Sequence, residues 1–313
     1  MRVVERTWRH RSHCLYAERD HRVAGVLPLF HVASRMFGSM LVSTPNAVYG
    51  GVVADDDDVY AELIEAAKSL ATELRVDYLE LRDVHDQTGA SPDFHRQNLY
   101  VTFDHPISTD EDALMKSFPR DVRRMIRQGA RHGLSAHFGG EELLEDFYDV
   151  YAASVRNLGT PVFPKKLFAG FLREFPGDSD ILVVRRGKSV AGAVMSFYFR
   201  HAVMPYYGGA YPEFYRAGVN NFMYWELMRA AARRGSTRFD FGRSKLGTGS
   251  YEFKRGWGMN ERALPYKFFL MRARELPNLN PLDPKFRPVI ETWKRLPLGL
   301  TKLIGPLIVK YLP

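Results

Sequence analysis

The pattern of apolar and polar positions occurs twice along the chain. "LYAERDHRVAG" begins at Leu15 and "LVVRRGKSVAG" begins at Leu182, and each predicts a strand, a polar turn and a second strand. The second strands continue as "VLPLFHV" and "AVMSFYF", and Tyr-Gly-Gly follows at residues 49–51 and 207–209. Because the same features recur in the same order, the pattern indicates an internal duplication.

Each Tyr-Gly-Gly precedes a predicted amphipathic helix. Apolar residues follow helical spacing over residues 60–74 in the first copy and over residues 222–232 in the second. The acidic run at residues 55–58 predicts the start of the first helix, because carboxylates accept hydrogen bonds from free N–H groups there. Each helix leads into a strand with an acidic residue at its centre, Glu80 in "DYLELRD" and Asp240 in "RFDFGRS".

A further strand closes each copy, "LYVTFD" at residues 99–104 and "LPYKFFL" at residues 264–270. The second copy is also preceded by the strand "LSAHF" and by helices at residues 141–156 and 165–175. The first copy has only about a dozen residues before its first clear strand, so we expect it to be shortened at its N-terminus.

The repeat predicts four segments. They are a first domain at residues 1–106, a basic helical linker at 107–132, a second domain at 133–273 and a C-terminal tail at 274–313. In the linker, Arg123, Arg127 and Arg131 lie on one helical face. This helix is either a solvated connection or a surface that binds phosphate or acidic lipid.

Composition narrows the compartment and the partners. The chain of 313 residues has a net charge of +8 and a pI of about 9.5, which favours an anionic partner. Its single cysteine, Cys14, allows no internal disulfide, and a reducing compartment is expected. The N-terminus has no apolar signal region and no run of about 18 apolar residues occurs, so we expect a cytoplasmic protein.

The segment "FDFGRSKLGTGSYEFKRGWG", residues 239–258, has the strongest chemical character. It resembles a phosphate loop, but Thr248 stands where a Walker sequence requires lysine, and G-x-G-x-x-G is absent. The spacing of His10, His13 and Cys14 matches no standard zinc pattern, so structural histidines are favoured and no metal site is predicted.

Several stretches together resemble the FemAB group of aminoacyl transferases. They are "SRMFGSMLVSTPNAVYGG", "SVRNLGTPVFPKKLF", "VMSFYF", "MPYYGGAYPEF", "NNFMYWELMR", the segment at residues 239–258, and "LNPLDPKFRPVIETWKRLPL". The chain looks most like the FemAB-related proteins associated with the PEP-CTERM and exosortase system. The resemblance implies a mixed α/β (α+β) fold with tandem GNAT-like (acyl-CoA N-acyltransferase) domains. No heptad arm of the kind associated with tRNA in some Fem enzymes is visible, which weakens an aminoacyl-tRNA donor.

The same resemblance assigns a transfer site. A Phe-Lys pair lies there in Fem enzymes, and here it is Phe253 and Lys254, with Lys254 stabilising charge on the acyl donor or intermediate. The alternative for Lys254 is a solvent-exposed helix lysine. Asp240 is the acidic candidate, either as a general base or as a structural partner of Arg243 or Lys254.

Three further groups are candidate binding residues. The loop after Asp240 and nearby tyrosines, which can donate a proton to a leaving group, are expected to contact substrate: Arg243, Ser244, Lys245, Tyr207 and Tyr251. A loop between two helices would cover the acceptor: Arg156, Asn157 and Thr160. The turn "RAGVN" is where GNAT enzymes bind the CoA pyrophosphate, and a helix cap at Asn220 is its alternative: Arg216, Gly218 and Asn220.

The resemblance implies an acyltransferase that forms an amide, or less readily an ester, on a cell-envelope or exopolysaccharide precursor. No tightly bound cofactor is implied, and the co-substrate is acyl-CoA, acyl-carrier protein or aminoacyl-tRNA. The alternatives are a Fem-type aminoacyl-tRNA transferase, an N-acyltransferase of a long-chain amine lipid, and a non-catalytic envelope scaffold. The tail "WKRLPLGLTKLIGPLIVKYLP" predicts either peripheral attachment to an anionic inner-membrane surface or an apolar strap.

Overall fold

A computed structural model describes residues 1–34, 38–84, 93–276 and 286–311 of the chain. Parts of two stretches that carry the family resemblance, at residues 35–37 and 279–285, lie outside the described residues. The chain forms two compact units. The first comprises residues 1–101, 263–280 and 308–313, and the second comprises residues 102–262 and 281–307.

The helices and strands follow the order that the repeat predicts. Short 3-10 turns at Glu141–Leu143 and Pro212–Ala217 accompany them. In chain order the elements are α1 (Arg2–Trp8), β1 (Arg11–Arg19), β2 (Arg22–Ser34), β3 (Gly38–Val42), β4 (Val53–Ala54), α2 (Asp57–Glu73), β5 (Tyr78–Leu81), β6 (His95–Pro106), α3 (Glu111–Ser117), α4 (Arg120–Arg131), β7 (Leu134–Gly139), α5 (Leu144–Leu158), α6 (Lys165–Glu174), β8 (Ser179–Arg186), β9 (Ser189–Phe199), β10 (Ala202–Ala210), α7 (Val219–Arg233), β11 (Arg238–Asp240), β12 (Ser244–Lys245), α8 (Gly249–Arg255), β13 (Asn260–Leu270), α9 (Arg287–Arg295) and α10 (Leu298–Val309).

In the first unit, the strand order is β1-β2-β3-β5-β13-β6, with β4 beside β2. Strands β3 and β5 are parallel, and α2 lies between them in the chain, as a crossover helix must. The Asp56 side chain accepts a hydrogen bond from Val59 N at 2.9 Å, so the acidic run begins α2 as predicted. Helix α2 buries Tyr60, Ile64 and Ala67 against the apolar face of this sheet.

In the second unit, the strand order is β6-β11-β10-β9-β8-β7. Strands β10 and β11 are parallel. Four other pairs of neighbouring strands are antiparallel: β7/β8, β8/β9, β9/β10 and β6/β11. Helices α5 and α7 contact opposite faces of the sheet. The Cβ of a residue replacing Gly209 would meet Ser154 of α5, whereas one replacing Gly192 would meet Val219 of α7.

The closing strands pair crosswise between the two copies of the repeat. Strand β6 follows the first copy in sequence, yet its Asp104–Pro106 end pairs with β11 of the second unit. Strand β13 follows the second copy, yet its residues 267–270 pair with β5 of the first unit. The repeat predicts both strands correctly but does not reveal this exchange.

The C-terminal tail forms two helices, α9 and α10. Helix α10 buries its small side, Thr301, Gly305 and Val309, and exposes Leu303 and Leu307. A Cβ at Gly305 would lie 2.8 Å from Val162 N, so the close approach of this helix requires glycine. Among the described residues, none of the helices is long and apolar enough to cross a membrane.

Candidate active site

The two parallel strands of the second unit separate soon after they begin to pair. Strands β10 and β11 share the pairs Ala202↔Arg238 and Val203↔Phe239, and their pairing ends there. Strand β10 continues to Ala210, and its pairing with β9 skips one residue between Pro205 and Tyr207. The chain after β11 instead turns at Gly242, where φ is +65°. The carboxyl ends of parallel strands, where such a separation occurs, are the usual ligand-binding edge of an α/β sheet.

Asp240 lies at the end of β11 and is only 1% exposed. Its Oδ1 accepts hydrogen bonds from Thr102 Oγ1 at 2.9 Å and Gly242 N at 2.8 Å. Its Oδ2 accepts one from Arg238 Nη2 at 3.3 Å. These donors stabilise the buried carboxylate and hold the turn that follows it.

Lys254 projects from α8 back onto this turn. The helix begins after Thr248, whose side chain accepts a hydrogen bond from Tyr251 N. Lys254 is half-buried, and its Nζ donates to the carbonyl oxygens of residues 241, 242 and 243 at 2.6, 3.1 and 3.2 Å. It is therefore not the solvent-exposed helix lysine of the alternative interpretation.

The charge on Lys254 is subject to opposing effects. Burial lowers the pKa of Lys254 to about 7, the Asp240 carboxylate acts against this, and Arg243 reinforces it. Three carbonyl acceptors match the three N–H groups of an ammonium, whereas a neutral amine has only two. The geometry therefore favours the protonated form while desolvation opposes it.

Lys245 lies in a contrasting environment on β12. Its side chain is buried, with 9% of the residue exposed, and its Nζ has no hydrogen-bond partner among the described residues. Burial lowers the pKa of Lys245 to about 8, with Arg243 acting in the same direction. Ser244, the neighbouring strand residue, is 3% exposed and points to the opposite side, and its Oγ also lacks a partner among those residues.

The positive charge of Arg243 acts on the hydroxyl of Tyr207 on β10. Burial is the main effect that raises the pKa of Tyr207 well above its usual value, and Arg243 acts against it. Tyr207 packs among rings of α5 and α6, including Tyr151 at 6.1 Å and Phe168 at 5.2 Å. The charge of Arg243 thus acts on two other sequence-predicted residues, Tyr207 and Lys245.

The predicted aromatic residues of α8 have mainly packing contacts. Phe253 lies in a cluster with the rings of Tyr224, Phe241 and Trp257, at 6.0 to 6.4 Å. Tyr251 packs on Phe103 and points its hydroxyl at Glu261, 3.3 Å away. Burial, followed by Glu261, raises the pKa of Tyr251 and keeps its proton in place.

The predicted CoA loop lies before α7. Gly218 has φ +81°, and a Cβ there would lie 2.4 Å from Met125 O of α4, so glycine is required. Helix α7 begins at Val219 with Gly218 as its N-cap, so the alternative of a cap at Asn220 is wrong. Arg216 is exposed, and its carbonyl accepts a hydrogen bond from Gln128 of the basic helix α4.

The predicted acceptor loop lies against the C-terminal helices. The guanidinium of Arg156 donates to Asn157 Oδ1 and to Leu296 O, and Thr160 O accepts from Trp293 Nε1 at 3.2 Å. These hydrogen bonds of Arg156, Asn157 and Thr160 lead to the C-terminal helices and to each other, and not to Lys254. Their role as acceptor-binding residues stays a prediction.

Two residues that hold the site are absent from the sequence prediction, Thr102 and Arg238. Thr102 is fully buried between the apolar residues of "LYVTFD", and this polar residue in an apolar strand was the available signal. Arg238 lies two positions before Asp240, on the same side of β11, a spacing that also indicates a pair.

Comparison with known proteins identifies the fold. Residues 116–255 match the family described as acetyltransferase (GNAT) domain. The structure of FemX is similar over 86% of this chain and 90% of its own, with a TM-score of 0.67 and 15% identity. That of L-PGS from Bacillus licheniformis is similar over 94% and 89%, with a TM-score of 0.56 and 13% identity. A tandem GNAT protein from the clavulanic acid biosynthesis pathway is similar over 83% and 82%, with a TM-score of 0.52 and 10% identity.

No curated protein matches the sequence. The structural likenesses establish the tandem GNAT fold that the sequence predicts, and the GNAT domain implies acyl-CoA as co-substrate. The GNAT domain at residues 116–255 and the tandem GNAT fold of the chain support acyltransferase activity.

Proposed function

We propose that this chain transfers an acyl group from a thioester to an amine of a cell-envelope or exopolysaccharide precursor. The acceptor nitrogen attacks the thioester carbonyl, so that a C–N bond replaces the C–S bond. The amine loses a proton and the departing thiolate gains one. The observation that carries this proposal is the separation of β10 from β11 within the matched GNAT domain, with lysine and arginine side chains beside it.

The separated edge of β10 suits a thioester donor that contains amide groups. Its pairing with β11 ends at Val203 while β10 continues to Ala210, and a strand edge of this kind can bond the amides of an extended ligand. The start of α7 at Val219, without a side-chain cap, offers N–H groups that suit a phosphate. Acyl-CoA and acyl-carrier protein both join amides to phosphate, and both fit this arrangement.

Positive charge beside the opening suits the transition state. The tetrahedral intermediate carries an oxyanion, and fixed cations stabilise it more than they stabilise the neutral thioester. Arg243 lies in the turn after β11, and Asp240 and Lys254 hold this turn through hydrogen bonds to Gly242 N and to the carbonyls of residues 241–243. Tyr207 retains its proton because burial raises its pKa, so it can serve as a donor to the leaving thiolate.

A second candidate is aminoacyl transfer from tRNA. It is favoured by the similarity to FemX and by the basic helix α4, on which Arg120, Arg124, Arg127 and Arg131 are exposed. Such a surface binds phosphate without reading sequence. The same chemistry of amine attack applies, but the carbonyl carbon then departs from an ester oxygen of the tRNA. N-acylation of a long-chain amine lipid and a non-catalytic scaffold remain the other candidates.

We also propose that the protein associates with an anionic membrane surface through α10. Leu303 and Leu307 of this helix are 71% and 63% exposed, while its small residues face inward. Arg295 and Lys310 flank the helix, so cations lie beside an exposed apolar stripe. This combination is typical of helices that lie in the lipid–water interface.

The test is a transfer assay on the purified chain with three donors: acyl-CoA, acyl-carrier protein and aminoacyl-tRNA. Each is mixed with an amino sugar nucleotide, a lysine-containing peptidoglycan precursor or a long-chain amine. Product mass and released thiol are measured together. An amide product with an equal amount of thiol supports the proposal.

The other outcomes are decisive as well. Transfer from aminoacyl-tRNA without transfer from either thioester replaces the proposal with the second candidate. Binding of an acceptor without transfer from any donor favours the scaffold. A lipid amide formed only from the long-chain amine identifies the acceptor as a lipid.

A further inference from the structure

Two lysines follow β11 in the chain, Lys245 on β12 and Lys254 on α8, and only one of their amino groups has hydrogen-bond partners among the described residues. Lys254 Nζ is engaged by three backbone carbonyls, at 2.6, 3.1 and 3.2 Å. Lys245 Nζ is buried and meets no hydrogen-bond acceptor in the part of the chain that the structure describes. The amino group of Lys254, which the family resemblance selects, therefore already has its hydrogen-bond partners. The amino group of Lys245 is available to bind a ligand.

Burial of an ammonium without a partner is costly, so the state of Lys245 needs an explanation. Isolated buried charges lose stability unless a partner neutralises them. With 9% of the residue exposed, water reaches Lys245 only slightly. Active and binding sites keep such unsatisfied groups because a ligand completes them.

The electrostatic surroundings indicate the charge of that ligand. After burial, the group that lowers the pKa of Lys245 is another cation, Arg243. A pKa of about 8 leaves the amine mostly protonated at neutral pH, so Arg243 and Lys245 are two positive groups close enough to repel each other. An anion between them would neutralise both and accept their hydrogen bonds.

We propose that Lys245 and Arg243 bind an anionic group of a substrate, a phosphate or a carboxylate, and that Lys254 is a positioning residue that holds residues 241–243. This inference rests on the proposed acyl transfer for the identity of the substrate. It does not rest on transfer for the existence of the anion site.

The division of roles follows from the contacts. Lys254 fixes the turn from which Arg243 extends, since it bonds the carbonyls of residues 241, 242 and 243. Displacing it would leave those carbonyls without this donor. Lys245 Nζ has no hydrogen bond to break among the described residues, so its substitution should change anion binding and leave the fold intact.

The experiment compares the wild-type chain with Lys245→Met and with Lys188→Met as a matched control. Lys188 is exposed at the turn between β8 and β9, so its loss removes one charge outside the site. Calorimetry measures binding of inorganic phosphate and of coenzyme A. Kinetics compare acyl-CoA with the same acyl group on N-acetylcysteamine, a thioester donor that contains no phosphate.

We expect Lys245→Met to weaken binding of at least one anionic substrate by about ten- to a hundredfold, the usual effect of one charge-assisted hydrogen bond. If the anion belongs to the donor, the variant raises KM for acyl-CoA and leaves the N-acetylcysteamine thioester unaffected. If it belongs to the acceptor, KM rises for a phosphorylated or carboxylated acceptor with either donor. Lys188→Met should match the wild type throughout.

Equal binding and equal KM values for wild type and Lys245→Met, with every probe, would overturn the inference. If the wild type transfers no acyl group, the proposed function fails, but the phosphate and coenzyme A titrations still test the anion site. Binding of phosphate lost in Lys245→Met and kept in Lys188→Met then upholds the site without the reaction.

Discussion

Two lysines of this chain, Lys245 and Lys254, have different roles because their hydrogen-bond partners differ. Lys245 and Lys254 are both removed from water, yet the described residues supply acceptors for only one of them. A buried ammonium with three carbonyl acceptors stabilises the turn that it joins. One without acceptors reduces the stability of the fold and is available to bind a ligand.

The first prediction concerns the free energy of unfolding of two methionine variants. Lys254→Met should lower it by at least about 1–3 kcal/mol, because buried carbonyls lose their charged donor. Lys245→Met should leave it unchanged or raise it, because an apolar side chain replaces an unpaired buried amine. Urea denaturation of both variants checks this, and an equal loss in both would contradict the assignment of different roles.

The second prediction is a pH dependence. In the folded chain the pKa of Lys245 is about 8, below its usual value of 10.5, because of burial and then Arg243. Between these values the unfolded chain binds more protons at this residue, so its contribution to wild-type stability rises with pH. The advantage of Lys245→Met over the wild type should therefore shrink from about pH 8 to about pH 10.5 in thermal unfolding. A constant difference across that range would show that the amine is not desolvated.

The sequence predicts the candidate residues better than it predicts their partners. It indicates that Asp240 is buried and needs a cation, because Phe239 and Phe241 flank it on a strand. It cannot identify Thr102 as a donor, since that residue is 138 positions away and reaches Asp240 through strand pairing. Alternation along a strand shows which face of the sheet a residue lies on, but it does not show which strand lies beside it.

At the scale of elements, local sequence patterns predict where helices begin, but they do not predict which strands pair. The starts of α2 and α8 follow from capping residues, and the basic face of α4 follows from the spacing of its arginines. The exchange of β6 and β13 does not follow from any local pattern. Both closing strands have similar alternation, so this pattern alone does not select the strand that each one pairs with.

The third prediction concerns helix α10. Leu303→Glu with Leu307→Glu should reduce binding to phosphatidylglycerol vesicles at least about tenfold, because two exposed leucines no longer enter the interface. Val23→Glu is the control, since Val23 is equally exposed but lies on β2. Sedimentation with phosphatidylglycerol or phosphatidylcholine vesicles measures this. Unchanged sedimentation of the double variant would mean that α10 is not the attachment surface.

At the scale of the whole molecule, the two copies differ in whether their buried charged side chains have ion-pair partners. In the first unit, Glu80 pairs with Arg82 at 2.7 Å and Asp83 pairs with Lys267 at 3.1 Å. These ion pairs neutralise buried charge within the unit. In the second unit, Lys245 has no such partner among the described residues. The difference favours chemistry in the second copy and a supporting role for the first.

The exchange of closing strands leads to the fourth prediction, on fragments of the chain. Residues 95–307 retain β6, whereas residues 107–307 lack it and differ in nothing else. Without β6, the edge of β11 is unpaired and Asp240 loses the Thr102 hydroxyl, so a buried carboxylate and an open strand edge remain. We expect the longer fragment to unfold cooperatively on heating, and the shorter one to aggregate or melt without a transition. Circular dichroism and size-exclusion chromatography distinguish these outcomes. Equal melting temperatures would mean that the second copy is complete without β6, as the sequence repeat alone suggests.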